Sequence, residues 1–394
     1  MKILVVCQYY APEPFRIPDI CQALARKGHS VTVVTGTPNY PEGEIYPGYE
    51  KGQHRDELLE GVRVHRCSLV PRKHGTVYRF LNYYSFVFSA RSYLRGLKED
   101  FDVVLVNQLS PVMMALPALS WAKRHHKKCV LYCLDLWPES LLAGGIRRGS
   151  PIYRYFLGVS QRIYSRADRI LVSSYGFLQY FRDTLELDGA SLRYLPQYAE
   201  ELFGENAQPV PGGEGMNFVF AGNVGTTQSV ETLVEAAGLV KDRKDIHIHI
   251  VGGGISLDRC RELAKGLDNI TFYGRRPLSE MPGFYAMADV MLVTLLKDPV
   301  LSVTLPGKVQ SYMAAGKPIL GAIDGEAARV VREARCGICV GAQDSAALAQ
   351  AMISAAQAPE TWKAWGKNAR DYYERNFRKE KFISDLEAEL KDTI

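Results

Sequence analysis

The segment FAGNVGTTQSVETLVEAA, residues 220–237, joins an apolar strand to a helix through a turn that contains two glycines. Strand, turn and helix in this order form the βα unit of a parallel sheet, whose strands are buried on both faces and are therefore continuously apolar. Gly222 and Gly225 would let backbone N–H groups approach a phosphate, and the following helix adds the positive end of its dipole. An ordinary βα turn would contain the same glycines, so the segment indicates the fold class and leaves the ligand open.

The same alternation of strand and helix runs through most of the 394 residues. Apolar runs predict six strands in the first half, at residues 2–8, 30–36, 62–68, 102–108, 129–135 and 169–174. They predict six more in the second half, at residues 217–222, 246–252, 269–274, 289–295, 318–323 and 337–341. Three helices are predicted to end the chain, at residues 343–357, 359–375 and 378–392. The sequence therefore predicts an α/β protein with parallel sheets.

Residues 197–215 interrupt this pattern because they are rich in proline, glycine and polar side chains. They predict a linker between two Rossmann-like domains, at residues 1–197 and 216–375, with a C-terminal helix at about 376–394 that packs back on the first domain. Open α/β sheets bind ligands beyond the carboxyl ends of their strands. We therefore expect the two domains to face each other across a cleft that holds the site.

The composition, with 47% hydrophobic and 23% charged residues, is that of a globular protein. No window approaches the roughly 20 apolar residues of a membrane-spanning helix, and the N-terminal run Ile3–Cys7 is too short for a signal peptide. The eight cysteines are scattered without metal-binding spacing, which predicts reduced core thiols in a cytoplasmic protein. Asp100 and Asp102 form a DxD pattern before a strand, at the edge opposite the expected cleft, so no metal site is predicted.

Charge is distributed unevenly along the chain. Residues 1–195 contain 26 basic and 17 acidic side chains, whereas the remainder contains 22 and 26. A basic first half favours an anionic partner such as a membrane surface or a phosphate-bearing acceptor. An ordinary basic surface is the simpler interpretation of charge alone, and no nucleic-acid partner is predicted.

Two further segments of the second half place glycine or lysine beside a helix start. IVGGGISLDR (250–259) has Gly252 and Gly253 in a turn that could contact a phosphate or a nucleobase, or could simply be flexible. LPGKVQSYMAAGKPIL (305–320) has Lys308 in the first turn of a helix, where the dipole disfavours a cation. Such a lysine is either a solvated surface residue or the partner of a bound diphosphate. Together the three segments indicate a nucleoside diphosphate, while the absence of GxGxxG and GxxxxGK[ST] argues against dehydrogenases and P-loop proteins.

Several motifs taken together resemble one enzyme family: YYAPEPFRIPDI, TGTPNYPEG, LDLWPES, FAGNVGTTQSVETL and LPGKVQSYMAAGKPI. In this combination, and over nearly the whole chain, the sequence resembles the retaining GT-B glycosyltransferases of family four. It is most similar to the bacterial branch that builds O-antigen and capsule repeats, including N-acetylfucosaminyltransferases. The resemblance implies a UDP-sugar donor, bound without metal or other cofactor by the second domain. It implies a polyprenyl-diphosphate-linked saccharide acceptor, bound by the first domain at the cytoplasmic face of the inner membrane.

The resemblance also implies that Lys308 contacts the diphosphate and takes part in catalysis, and that residues 223–226 add backbone contacts. Together with the glycines of the second turn and nearby polar candidates, the predicted donor-binding set is Gly222, Asn223, Gly225, Thr226, Gly252, Gly253, Arg276, Lys308 and Ser311. Family members carry two glutamates about two helical turns apart, and here Val303 and Ser311 replace them. Asn223 and Gln228 stand where many members carry a basic pair. Ser311 could still form a hydrogen bond with a ribose hydroxyl. Three nearby residues could compensate for the lost charges, namely Arg275, Arg276 and Asp298, and of these Arg276 is preferred.

In the first half, Glu13 and Arg16 follow the first strand and should face the cleft. Either Glu13 or Asp135, at the end of the fifth predicted strand, could orient or deprotonate the acceptor hydroxyl, and Arg16 could bind a phosphate. Both carboxylates could instead cap a helix or hold a loop. Leu134 replaces a histidine of many family members. Other candidates are the acceptor contacts Asn39 and Tyr40 and, more weakly, the carboxylates Glu139 and Asp19.

Two segments, 77–97 and 147–169, mix aromatic side chains with arginines such as Arg79, Arg91 and Arg95. This mixture is typical of helices at a membrane interface, although two core helices with solvated arginines would look the same. The sequence thus predicts a glycosyltransferase that moves a sugar of the hexosamine type from UDP to a lipid-linked acceptor. Two alternatives are a UDP-N-acetylhexosamine epimerase of the same fold and a non-catalytic protein that binds UDP or glycan.

Overall fold

The chain forms two compact units in a computed structural model, which describes residues 1–72, 75–187, 189–199, 202 and 207–394. The first unit contains Met1–Ser173, Phe177–Leu195 and Ile383–Ile394, and the second contains Ser174–Gly176 and Pro196–Phe382. Most of the last helix therefore belongs with the N-terminal residues. The predicted linker at 197–215 lies partly outside the described residues, because 200–201 and 203–206 are not among them.

The first unit is built on an eight-stranded sheet. Its strands are β1 (Lys2–Val6), β2 (Ser30–Gly36), β3 (Asp56–Leu59), β4 (Val62–Cys67), β5 (Val103–Gln108), β6 (Lys128–Cys133), β7 (Arg169–Val172) and β8 (Leu192–Tyr194). They lie in the order β3-β4-β2-β1-β5-β6-β7-β8. Neighbouring strands are parallel except β3 and β4, which are antiparallel.

Helices connect these strands because each βα crossover returns the chain to the start of the next parallel strand. They are α1 (Ile17–Arg26), α2 (Thr76–Gly96), α3 (Leu116–Arg124), α4 (Pro151–Tyr164) and α5 (Tyr175–Asp183). All residues of β5 are buried, and β1 is buried from Ile3 onward. This is the expected burial of strands covered on both faces.

The second unit repeats the plan with six parallel strands. They are β9 (Met216–Ala221), β10 (Ile246–Val251), β11 (Ile270–Gly274), β12 (Val290–Thr294), β13 (Ile319–Ala322) and β14 (Gly337–Val340), in the order β11-β10-β9-β12-β13-β14. The remaining helices are α6 (Glu231–Leu239), α7 (Leu257–Leu263), α8 (Met281–Met287), α9 (Pro299–Ser302), α10 (Gly307–Ala314), α11 (Gly325–Glu333), α12 (Ser345–Gln357), α13 (Pro359–Asn376) and α14 (Lys379–Thr393). Two clusters of buried apolar side chains form the core of this unit.

Both sheets contain the strand order 3-2-1-4-5-6 of the Rossmann fold, in which connections leave the first and fourth strands in opposite directions. The crevice at this switch point lies beside the carboxyl ends of β1 and β5 in the first unit, and of β9 and β12 in the second. The loops that follow these strands are therefore the natural ligand-binding positions of each unit.

All twelve predicted strands are present, with ends within two residues of the prediction, and the predicted fold class is confirmed. Two strands were missed. The sequence of β3 is DELL, and β8 has only three residues. Neither strand therefore has the apolar run that predicts a buried strand. Both lie at the edges of the sheet, where short and charged strands are common because they discourage pairing with other chains.

Candidate active site

The two glycine turns of the second unit form one structure. The turn after β9 and the turn after β10 are joined by hydrogen bonds from the N–H of Val224 to Gly253 O, at 2.9 Å, and from the N–H of Ser256 to Val224 O, at 3.0 Å. The N–H of Gly252 donates to Gly274 O at 2.9 Å, which ties the end of β11 to the same place. The carboxyl ends of three adjacent strands therefore share one backbone network.

Glycine is required where these turns touch. Gly252 has a φ of +149°, and a Cβ added there would lie 1.7 Å from Gly222 O. A Cβ at Gly254, whose φ is +157°, would lie 2.4 Å from Val224 O. Gly252 was predicted to contact a ligand phosphate, but its amide is already bonded and its missing side chain makes room for the neighbouring turn. The sequence correctly indicated that Gly252 is important in this turn. Its role is to allow close contact between the two turns.

Three amides of the first turn remain available to a ligand. In the part of the chain that the structure describes, the N–H groups of Asn223, Gly225 and Thr226 donate to no other group. Asn223 and Thr226 are exposed, and the side-chain Nδ2 of Asn223 lies 2.5 Å from where a Cβ of Gly225 would be. Unpaired N–H groups in a turn can bind an anion. These residues match the predicted diphosphate contacts.

Lys308 lies over this turn from the first turn of α10. A Cβ at Gly222 would be 3.2 Å from its Nζ. The ammonium donates to Oε1 of Gln228 at 2.6 Å and stands 4.0 Å from the ring centre of Phe220. Burial lowers the pKa of Lys308 to about 7, since no carboxylate compensates its charge in the described residues. A cation held in this way beside free amides is suited to an anionic ligand.

Tyr312 fixes the position of α10 and was not singled out from the sequence. Its hydroxyl donates to Ala221 O at 2.9 Å and accepts from Ala221 N at 3.0 Å, so α10 is tied to the last residue of β9. The predicted ribose contact Ser311 is buried, and its hydroxyl donates to Gly307 O at 3.2 Å within the helix. Only its lone pairs remain for a ligand.

Arg275 and Arg276 follow β11, beside the glycine turns. The Cβ of Arg275 lies 3.5 Å from the position of a Cβ at Gly253. The guanidinium of Arg276 instead donates to Tyr273 O at 3.1 Å, and it lies 3.8 Å from Glu280 in a separate groove of about 530 Å³. Asp298 accepts from the N–H groups at the start of α9 and so acts as a helix cap. Asp298 therefore does not compensate for the glutamate that family members carry at the position of Val303.

In the first unit, Glu13 holds two loops together. Its side chain is buried, and it accepts hydrogen bonds from the N–H groups of Tyr10 (3.1 Å), Asn39 (2.9 Å) and Tyr40 (2.8 Å). Burial raises the pKa of Glu13 to about 7, although these three N–H groups lower it. With its lone pairs directed at backbone donors, Glu13 stabilises the loops after β1 and β2, which is the structural role that the sequence left open.

The other predicted acceptor residues surround these loops. Asn39 is fully buried and its side chain donates to Thr37 O at 3.0 Å, so it is part of the loop framework. The ring of Tyr40 packs against those of Tyr9 and Phe15, with centres 5.5 and 5.2 Å apart. Arg16 occupies the N-cap position of α1.

Asp135, the other predicted acceptor carboxylate, follows β6 at the carboxyl edge of the sheet, and its Oδ2 accepts from Ser110 N at 3.1 Å. Burial raises its pKa, opposed by Ser110 and by the positive charge of Arg72. Glu139, by contrast, is buried and bonded to Tyr153 at 2.6 Å and to Arg148 at 2.7 Å, so it stabilises the protein interior. Asp19 lies in the first turn of α1, where a carboxylate favours the helix dipole.

Two family profiles match the chain, one for a glycosyl transferase 4-like domain at residues 15–197 and one for glycosyl transferases group 1 at residues 215–358. The probable glycosyltransferase WbjE of Pseudomonas aeruginosa is 30% identical over 281 residues, which cover 68% of each protein. The chain belongs to the group 1 glycosyltransferases. The putative colanic acid biosynthesis glycosyl transferase WcaI of Escherichia coli (strain K12) is 26% identical over 343 residues, covering 80% of this chain and 82% of that protein.

The fold of this group 1 glycosyltransferase is that of GT-B enzymes. A crystal structure of Anabaena HepE in complex with UDP superposes with a TM-score of 0.72 and 14% sequence identity, and the match covers all of both chains. At this identity the likeness establishes the fold alone.

The glycosyltransferase exposes apolar side chains on α2 and α4. They are Tyr78, Leu81, Tyr84 and Phe88 of α2, and Ile152 and Tyr155 of α4. The two helices touch, because the rings of Phe80 and Phe156 are 6.0 Å apart. Phe88 is 67% exposed and Tyr155 61% exposed. The predicted aromatic and arginine-rich surface is therefore present, and among the described helices none is long and apolar enough to cross a bilayer.

The DxD pattern and the cysteines have local structural contacts. Asp100 pairs with Lys127 at 2.9 Å, and Asp102 accepts from Lys2 N at 2.6 Å, so the DxD pattern belongs to the surface. Within the described ranges, no group of three or more His, Cys, Asp or Glu could hold a metal ion. Seven cysteines are buried and Cys339 is partly buried, as predicted for core thiols.

Proposed function

We propose that this glycosyltransferase transfers a sugar from a UDP-sugar to a lipid-linked saccharide during the synthesis of a surface polysaccharide. The observation that carries the donor assignment is Lys308, held over a glycine turn with three unpaired amides. The names of similar proteins support a role in polysaccharide synthesis, since WcaI is named as a putative colanic acid biosynthesis glycosyl transferase. HepE, which shares the fold, was crystallised with UDP.

The proposed chemistry is electrostatic at the donor. As the bond between the sugar C1 and the phosphate oxygen breaks, its electron pair leaves with UDP and negative charge grows on the diphosphate. Lys308, the N–H groups of Asn223, Gly225 and Thr226, and the N-terminus of α10 would stabilise that charge. The acceptor oxygen forms the new bond to C1 on the face that UDP leaves, which retains configuration. The hydroxyl proton passes to the departing phosphate, and no metal takes part.

The first unit would bind the acceptor. Asp135 is the carboxylate available to orient the attacking hydroxyl, because Glu13 is occupied by backbone donors. We further propose that the donor sugar is an N-acetylated hexosamine or a deoxyhexosamine. One relative of 25% identity, covering 44% of the chain, is named as an N-acetyl-α-D-glucosaminyl L-malate synthase.

The test is a donor screen with lipid extract that contains polyprenyl-diphosphate-linked saccharides, in the presence of a chelator. The proposal expects UDP release that requires acceptor, together with a mass increase of the acceptor by one sugar. Conversion of one UDP-sugar into another without UDP release would instead identify an epimerase. Tight UDP binding with no turnover on any donor would identify a binding protein.

The exposed face of α2 and α4 is proposed to rest on the inner membrane, where the acceptor lies. Aromatic side chains next to arginines favour the interface of an anionic bilayer. Co-flotation with vesicles that contain phosphatidylglycerol should be strong for the wild type and weak for a Leu81→Ser, Phe88→Ser double variant. Leu58→Ser, at a position 71% exposed on β3, is the matched control and should float like the wild type. Equal flotation of all three proteins would refute this contact.

A further inference from the structure

Arg72 lies in the loop after β4 and is anchored there through its main chain. Its N–H donates to Oδ1 of Asn39 at 3.1 Å. That oxygen also accepts from Nδ2 of Asn82 at 3.2 Å, and both asparagines are fully buried. The position of Arg72 is therefore set by the same framework that Glu13 organises, at the carboxyl edge of the sheet.

The guanidinium of Arg72 is surrounded by rings rather than by carboxylates. Its central carbon lies 5.8 Å from the ring centre of Tyr40 and 5.9 Å from that of Tyr83. In the described part of the chain, no Asp or Glu oxygen is within 4.0 Å of it. Aromatic faces attract a cation, but they offer no strong acceptor to its five N–H groups. A half-buried arginine without a carboxylate is uncommon, because buried charges are normally paired.

A second polar group, the hydroxyl of Tyr9, lies beside Arg72. Tyr9 is 2% exposed, and its hydroxyl makes no well-aligned hydrogen bond within the described residues, although Arg72 is close enough to interact with it. The charge of Arg72 also acts on Asp135, the carboxylate proposed to orient the acceptor hydroxyl. The ends of β1, β4 and β6 thus bring together a cation, a buried hydroxyl and a carboxylate.

We propose that Arg72, with Tyr9, binds a phosphate group of the acceptor and so positions the acceptor beside Asp135. This inference rests on the proposed function, since it names the part of the lipid-linked acceptor that the first unit recognises. A guanidinium can bind two phosphate oxygens at once through its planar fork, which a single ammonium cannot do. Neither residue was assigned a role from the sequence, although Tyr9 begins the segment YYAPEPFRIPDI, because the sequence does not show that the loops after β1 and β4 meet.

The test measures anion binding by calorimetry with UDP at saturation, so that the Lys308 site is already filled. The probes are inorganic pyrophosphate, geranyl diphosphate and vesicles of phosphatidylglycerol, at about 0.15 M salt to screen exposed charges. Geranyl diphosphate should bind more tightly than pyrophosphate if the phosphate belongs to an isoprenoid acceptor. Binding to vesicles alone, with neither soluble probe, would overturn the proposal in favour of a general lipid surface.

Three variants and one control variant test the phosphate contact. Arg72→Met should weaken geranyl diphosphate binding at least tenfold, and Arg72→Lys should weaken it less because the charge remains. Tyr9→Phe should weaken it several-fold. Arg63→Met is the matched control, since Arg63 is half exposed and paired with Glu99. If UDP binds normally but Arg72→Met binds the diphosphate like the wild type, the Arg72 site is refuted while the donor site stands. Failure of UDP to bind would instead contradict the proposed function.

Discussion

The ammonium of Lys308 donates to the side-chain oxygen of Gln228 at 2.6 Å, across the glycine turn that follows β9. Gln228 occupies a position where family resemblance leads one to expect part of a basic pair. In this chain both positions of that pair, Asn223 and Gln228, are neutral, and Gln228 is the acceptor that orients Lys308. The proposed donor site therefore depends on one oriented cation, and desolvation lowers the pKa of that cation towards neutrality.

Gln228→Ala should weaken UDP binding by about ten- to a hundredfold. The side chain accepts a hydrogen bond from a charged ammonium, and such bonds contribute about 1.5–3 kcal/mol. Calorimetric titration of the variant with UDP measures the effect. Gln357→Ala, at an exposed position near the end of α12, is the control and should bind UDP like the wild type. A loss of more than a hundredfold would show that Gln228 contacts the nucleotide itself.

UDP binding should take up about one proton at pH 8. Lys308 has a pKa of about 7 without ligand, and a bound diphosphate raises that pKa because it favours the ammonium. Affinity should therefore be constant just below pH 7 and fall about tenfold per pH unit above it, until the pKa of the complex is reached. Titrations in buffers of different ionisation enthalpy measure the proton. Lys308→Met should abolish both the uptake and the slope, and an unchanged slope in that variant would assign the proton to another group.

Gly252→Ala should destabilise the second unit and weaken UDP binding. The new Cβ would lie 1.7 Å from Gly222 O, and the φ of +149° is strained for alanine. Overpacking of this kind costs about 1–3 kcal/mol, seen as a lower thermal midpoint. Gly266→Ala separates the causes, because its φ of +81° is also positive but nothing lies within 4 Å of the new Cβ. Equal effects of the two substitutions would mean that backbone strain, and not the contact between turns, decides the result.

Glu13→Ala should lower stability strongly, and Glu13→Gln less so. Alanine leaves three buried N–H groups without an acceptor, at about 1–3 kcal/mol each, whereas glutamine keeps one oxygen. Thermal unfolding measures the difference, with the exposed Glu42→Ala as the control from the same loop. If Glu13→Gln abolished turnover while its thermal midpoint stayed at the wild-type value, Glu13 would be a catalytic base and not a structural carboxylate.

The apolar runs in the sequence were sufficient to predict the buried strands of both sheets, because parallel strands covered on both faces consist of consecutive apolar residues. The glycine turns and Lys308 were found for a related reason, since each directly follows a strand or begins a helix. The short edge strands β3 and β8 escaped because their few residues lack that pattern.

Residues whose role depends on distant partners could not be predicted in this way. Glu13 was recognised as a candidate, but only the structure shows that backbone N–H groups from two loops converge on it. Arg72 and Tyr312 were missed because their partners lie in other strands and loops. Arg276 was the preferred cation, yet its guanidinium bonds to Tyr273 O beside it, which no spacing argument reveals.

We propose that Lys308 and the glycine turn bind the diphosphate of a uridine nucleotide without a metal. Calorimetric titration of the wild type and of Lys308→Met with UDP and with GDP, in the presence of a chelator, tests this binding site. We expect the wild type to bind UDP in preference to GDP and Lys308→Met to bind UDP at least about thirtyfold more weakly. Lys265→Ala, which removes an exposed lysine after α7, should bind like the wild type. Absence of UDP binding, or unchanged affinity in Lys308→Met, would refute this binding site.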